Sequence, residues 1–127
     1  MSLLLDTHVF LWFQARSPRL SAEVRDLIAR TEHAVNISAA SFWEIAIKRR
    51  TGKLAFHGSA REAAVACGFQ ELSLDAADAE RAGALDWDHR DPFDRALVAQ
   101  AINRRMTLVT ADARLLQHPG PALLRAG

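Results

Sequence analysis

Short apolar runs alternate with longer helix-patterned stretches along the whole chain, and this alternation restricts the fold more than any other feature. Leu3-Leu4-Leu5, Ala34-Val35-Asn36-Ile37-Ser38, Glu71-Leu72-Ser73-Leu74, Leu108-Val109-Thr110 and Ala122-Leu123-Leu124 read as five strands. Helices are predicted through Val9 to Phe13, from Ser21-Ala22-Glu23 onward with Val24, Leu27 and Ile28 on one face, and over residues 42–50, stopping near Gly52. Further helices are predicted over residues 61–66, 76–85, 92–104 and 113–117. Pro92 suits a first helical turn, where its missing N–H is not required. Strands that alternate with helices fold into a mostly parallel sheet covered on both faces. Ligands of such α/β sheets bind beyond the carboxyl ends of the strands.

The 127 residues suffice for one core, so residues 1–127 are expected to form a single domain. Half of them are hydrophobic and 24% are charged, which is ordinary globular composition and excludes a disordered chain. A net charge of +1 neither requires nor excludes a nucleic-acid partner, because a local basic stripe can coexist with an acidic pocket. The single cysteine, Cys67, has no internal disulfide partner and is expected to be a small buried hydrophobe in a reducing compartment. The start of the chain lacks basic residues and meets Asp6 after three leucines. No run approaches membrane-spanning length, so a soluble cytoplasmic protein is expected.

Four acids stand where a ligand would bind. Asp6 follows the first strand, Asp112 follows Leu108-Val109-Thr110, and Glu44 lies one helical turn beyond the second strand. Asp94 opens the long helix before the fourth. Each has a structural reading. Asp6 and Asp112 suit N-caps, Ser41-x-x-Glu44 has the form of a capping box, and Asp91-Pro92 is a sensible cap with its first helical residue. Three observations favour a joint role. Asp94 is in helical register with Leu97, Val98, Ala101 and Ile102, so it points inward, which is costly for a carboxylate without a partner or a metal. Glu44 sits among Phe42, Trp43, Ile45, Ala46 and Ile47, on a helix expected to be buried nearly all round. All four acids also fall at one edge of the inferred sheet, where independent caps have no reason to converge.

Clustered carboxylates repel one another unless a cation offsets their charge. Oxygen ligands without a His or Cys pairing select Mg²⁺ or Mn²⁺ over zinc, and such a centre suits phosphodiester chemistry. No phosphate-cradling glycine loop is present, which argues against hydrolysis of nucleoside triphosphates.

Leu4-Leu5-Asp6-Thr7-His8, Ser41-Phe42-Trp43-Glu44-Ile45, Asp91-Pro92-Phe93-Asp94-Arg95-Ala96-Leu97-Val98-Ala99-Gln100-Ala101 and Leu108-Val109-Thr110-Ala111-Asp112 resemble, in order and spacing, the motifs of PIN domains. The likeness is greatest to the VapC toxins of bacterial toxin–antitoxin pairs and covers nearly the whole chain. It implies a three-layer α/β/α sandwich with a five-stranded parallel sheet, and Mg²⁺- or Mn²⁺-dependent endoribonuclease activity. It also implies a homodimer and a small VapB-like antitoxin partner. Asp6, Glu44, Asp94 and Asp112 match the family's catalytic, metal-binding quartet position by position. Asp91 is an additional acid that either ligates metal or caps its helix. Thr7 and Thr110 match positions that often carry a hydroxyl near the site, although either can equally satisfy local backbone groups.

Lys48, Arg49, Arg50 and Lys53 form a basic stretch just after Glu44. It reads as a solvated helix end or as an edge that tracks the phosphates of RNA. Arg90 and Arg95 flank the Asp91–Asp94 motif and either contact substrate or pair with its acids. His89 lacks zinc-ligand spacing and is a candidate substrate contact, whereas His8 reads as a packed or capping residue. Phe10, Trp12, Phe13, Phe42 and Trp43 read as core or subunit interface, with base stacking as the minor reading. Two rivals keep the alternating pattern. One is a non-catalytic signalling domain of the receiver type, and the other a PIN-fold enzyme acting on DNA or another phosphate ester.

Overall fold

The computed structural model describes residues 1–127. Five strands, β1 (Ser2–Leu5), β2 (Ala34–Ser38), β3 (Gln70–Leu72), β4 (Thr107–Thr110) and β5 (Ala122–Arg125), pair in the order β3-β2-β1-β4-β5. Every pairing is parallel. Helices α1 (Thr7–Ala15), α2 (Ala22–Ala29), α3 (Ala39–Arg50), α4 (Ala60–Ala66), α5 (Ala76–Ala84), α6 (Pro92–Arg104) and α7 (Ala113–Leu116) make the crossovers.

The central strand explains the layering. Successive side chains of a strand point to opposite faces. Leu3 and Leu5 enter a core with Val9, Phe10, Ile28 and Ile45. Leu4 enters a second core with Leu97, Val98, Ala101, Leu108 and Leu115. All three leucines are fully buried, as a strand covered by helices on both faces requires. The expected α/β/α sandwich is therefore the fold. The chain winds outward from β1 through β2 to β3, then returns to place β4 on the other side of β1. The carboxyl ends of β1 and β4 thus flank the point where strand order reverses, the usual ligand crevice of such sheets. A receiver-like sheet has the order 2-1-3-4-5, so the topology removes that rival.

Several local expectations are corrected. Strand β3 ends at Leu72 rather than Leu74, because the Ser73 carbonyl accepts from Gln100 Nε2 and the Arg104 guanidinium instead of a neighbouring strand. Helix α3 begins three residues early, at Ala39, with Ser38 as its N-cap accepting from Ala40 N at 3.0 Å. It is not buried all round, since Trp43 and Ile47 are exposed. Cys67 is also exposed, with its Sγ accepting from Gln14 Nε2. It lies just beyond the last turn of α4, outside either core. No helix is long and apolar enough to cross a membrane.

Away from the crevice, Asp78 anchors α5 to α6. Its carboxylate is buried and accepts from Arg104, Asn103 and Gln100, while Asp75 and Asp78 cap α5 reciprocally. Burial opposes ionisation, but these donors outweigh it and hold the Asp78 carboxyl far below the usual range.

Candidate metal centre

Asp6 is the hub. It occupies the N-cap position of α1, yet its side chain makes no capping hydrogen bond. The carboxylate instead accepts from Thr110 Oγ1 at 2.7 Å, across the β1–β4 crevice, and is almost wholly buried. Thr110 Oγ1 in turn accepts from Asp112 N at 3.0 Å, which ties the ends of both strands together. Burial raises the carboxyl above its ordinary value, and the charge of Glu44 adds to this. The Thr110 hydrogen bond and the charge of His8 pull the other way.

Glu44 cannot be the tail of a capping box. With Ser38 as N-cap, Glu44 lies well into α3, and Ser41 is buried with its hydroxyl accepting from Thr7 Oγ1 at 2.8 Å. Thr7 thus joins the start of α1 to α3. Glu44 is itself buried, and its one ion pair is with Lys48 Nζ at 2.7 Å, one turn along.

Asp94 follows Asp91 by one turn. Asp91 does cap α6, since Oδ1 accepts from the amides of Phe93 and Asp94. Asp94 is free of that duty, and its Oδ2 lies 2.6 Å from His89 Nε2. Burial raises the Asp94 carboxyl to about 6, the charges of Asp91 and Asp6 adding to the rise and His89 opposing it. Asp112 is exposed and caps α7, accepting from Arg114 N at 2.8 Å, and it shares a cavity with Asp6.

Around Asp6, then, Glu44 and Asp94 interact by charge, and Asp112 is joined through Thr110. The tightest grouping is a different one. Ligand atoms of His89, Asp91 and Asp94 all lie within 4.8 Å of one another. His89 was read from sequence only as a substrate contact. No local pattern marks it, because the contact with Asp94 is made by the irregular segment that precedes α6.

The basic residues divide. Arg95, expected to contact substrate or pair with the acids, pairs with no acid. Its guanidinium donates to the carbonyls of Ala82, Gly83, Leu85, Trp87 and His89, clamping the segment that carries His89. Arg49 donates to Gly58 O, whereas Arg50, Lys53 and Arg90 are exposed and stand in no ion pair. Phe10 is core, and Trp43 meets Phe93 edge-on at 5.2 Å, bridging α3 to α6.

The donor set fits a hard divalent cation. Two of its carboxyls are raised by burial and by neighbouring acids, Asp6 by Glu44 and Asp94 by Asp91 and Asp6, a penalty that a bound cation relieves. Oxygen donors dominate and suit Mg²⁺ or Mn²⁺, whereas an imidazole among the ligands would favour a transition metal over Mg²⁺.

A family model described as the PIN domain matches residues 3–120. Among solved structures, the chain is similar to that of VapBC2 from Rickettsia felis bound to a DNA fragment from its promoter. That match has a TM-score of 0.70, 16% identity and coverage of 100% of both chains. It is also similar to DNA-bound VapBC from Salmonella typhimurium, with a TM-score of 0.69, 20% identity and 98% coverage of each chain. A third similar structure is VapBC-5 from Mycobacterium tuberculosis, a member of the VapBC family of toxin–antitoxin systems. There the TM-score is 0.59 at 18% identity, over 98% of this chain and 97% of that one. Identities this low speak for the fold alone. No curated protein sequence matches significantly.

Proposed function

Because this chain belongs to the PIN-domain family, we propose that it is a divalent-metal-dependent endoribonuclease, the toxin of a VapBC-like pair. The observation that carries the reading is Asp6. Here a buried carboxylate at the switch point of the sheet is held by Thr110 rather than by its own helix, with Glu44 and Asp94 close enough for their charges to act. A structural cap has no need of that arrangement.

Asp6, Glu44, Asp94 and Asp112 would hold Mg²⁺ or Mn²⁺, with Asp91 and His89 as adjoining donors. When bound, the cation would supply charge neutralisation at the phosphodiester and stabilisation of the leaving oxygen. The residues do the rest. Thr110 and Thr7 fix the orientation of Asp6 and α3 through buried hydroxyl bonds. Lys48 donates to Glu44 Oε2 from one turn along α3. Asp94 Oδ2 and His89 Nε2 share a short contact along which a proton can be held between them. The exposed Arg50, Lys53 and Arg90 would contribute phosphate contacts that position RNA without reading its bases.

A small antitoxin protein belongs to the same proposal, and the toxin–antitoxin complexes of similar fold support it. A homodimeric state and a cytoplasmic location are proposed with it on the family resemblance. The test is cleavage of RNA in Mg²⁺ or Mn²⁺, abolished by EDTA and by Asp94→Asn, with DNA and a phosphomonoester assayed alongside. An Asp94→Asn protein that cuts RNA as fast as wild type would sink the reading. Faster turnover of DNA would move it to another substrate.

A further inference from the structure

Arg19 lines the acid cavity, yet its guanidinium pairs with no carboxylate. The cavity, about 220 Å³, is walled by Asp6 and Asp112 together with His8, Trp12 and Arg19. The last three residues also line a larger cavity of about 600 Å³ that runs on beside α1 to Leu54, Phe56 and His57. The two adjoin at these three residues, and the larger one leads away from the acids.

Several other arginines are engaged. Arg104 meets Asp78, Arg61 meets Glu71, Arg114 meets Asp88, and Arg95 holds backbone carbonyls. Arg19 is exposed, and only its backbone amide makes a hydrogen bond. An unpaired arginine alone is a solvated charge. This one, however, sits between an acid cavity and an aromatic-walled pocket. Trp12 is half-buried with the His8 ring tilted against it at 6.4 Å, and Phe56 lies farther along. The pocket is of ordinary size for a small ligand. Its flat apolar wall, rimmed by a guanidinium and two imidazoles, suits a base joined to a phosphate better than either alone.

We propose that this groove is a nucleotide subsite for single-stranded RNA, resting on the ribonuclease reading above. A nucleotide next to the scissile phosphate lays its base on Trp12, and its phosphate meets Arg19 and His8. A paired base must first give up its pairing and stacking to enter, so the groove favours unpaired RNA.

The probe is a short mixed-sequence single-stranded RNA, titrated in EDTA so that binding is read without cleavage and the repulsion of the acids is common to all variants. Binding should quench tryptophan fluorescence in wild type, Trp43→Phe and Trp87→Phe, but not in Trp12→Phe, which keeps an aromatic ring for folding. Arg19→Ala should weaken binding and lower the salt slope by about 0.7, the share of one phosphate contact. Trp12→Ala should lose roughly tenfold in affinity. Arg61→Ala, which removes an equal charge from the pair with Glu71, should bind as wild type does. The same RNA annealed to its complement should bind more weakly. Quenching that survives Trp12→Phe, or an Arg19→Ala protein as tight and as salt-sensitive as wild type, overturns the subsite. A wild type that binds in this way but leaves RNA intact in Mg²⁺ and Mn²⁺ overturns the ribonuclease reading and not the subsite.

Discussion

Thr110 Oγ1 donates to Asp6 Oδ2 at 2.7 Å across 104 positions of sequence, and this bond orients the most buried acid of the site. Replacing Thr110 by the isosteric Val removes the donor and also strands the Asp112 amide that the hydroxyl accepts. Losing buried partners of this kind costs about 1–3 kcal/mol. Orienting groups behind metal ligands typically contribute about 10- to 100-fold in metal affinity. Thr110→Val is therefore expected to fold with a lowered Tm and to bind Mn²⁺ more weakly by that factor in calorimetry. Unchanged Mn²⁺ affinity would mean that Asp6 needs no such support.

Glu44 separates the capping reading from the ligand reading. Because Ser38 is the cap, Glu44→Gln should leave helix content intact but lose Mg²⁺-dependent cleavage and most Mn²⁺ binding. Ser38→Ala should instead cost about 1 kcal/mol of stability in urea titration. A Glu44→Gln protein with full activity would exclude Glu44 from the metal centre.

The raised carboxyl of Asp94 has a signed consequence for the metal-free protein. Its folded pKa of about 6 lies above the ordinary value of 3.8, so the folded state holds the proton more tightly. The stability this contributes is complete below about 3.8 and is lost as pH rises through 6. In EDTA, the Tm of wild type relative to Asp94→Asn should fall between pH 4 and 7, and saturating Mn²⁺ should reverse the deficit at pH 7. A parallel pH dependence in the two proteins would contradict the burial of an ionisable Asp94.

Asp78 carries the opposite sign. Its carboxyl is held below the usual range, so its contribution is present above 3.8 and lost as pH falls further. Breaking a buried pair by removing one partner costs about 3–5 kcal/mol. Arg104 keeps partial solvent contact, so Asp78→Ala is expected near the lower end of that range by urea denaturation. Mn²⁺ affinity of the folded fraction should be unchanged, which makes this variant a control for stability without a site effect.

Arg95→Lys tests the clamp on the His89 segment. Lysine has three donors on one nitrogen and cannot reach carbonyls spread over residues 82–89 as the guanidinium does. Weaker Mn²⁺ binding with a changed Trp87 emission is expected. If RNA affinity in EDTA fell while Mn²⁺ affinity held, Arg95 would be a substrate contact after all.

The alternation of apolar runs and amphipathic stretches determined, without any coordinates, the five strands, their parallel pairing and the sheet edge that carries the acids. The physical reason is plainest at the centre of the sheet, where a strand covered on both faces is apolar on both, as Leu3, Leu4 and Leu5 are. The alternation could not decide which acids cap and which do not, since Asp, Ser and Glu at a helix start look alike for both duties. Tertiary contacts decided that. Thr110 drew Asp6 away from its own helix, Ser38 took the cap and left Glu44 inside α3, and Asp91 took the cap and left Asp94 to His89. The pairing of Arg95 with the acids and the burial of Cys67 failed for the same reason. Whether an arginine meets carboxylates or carbonyls, and whether a cysteine is covered, depends on segments distant in sequence or folded back in space, which no local pattern encodes.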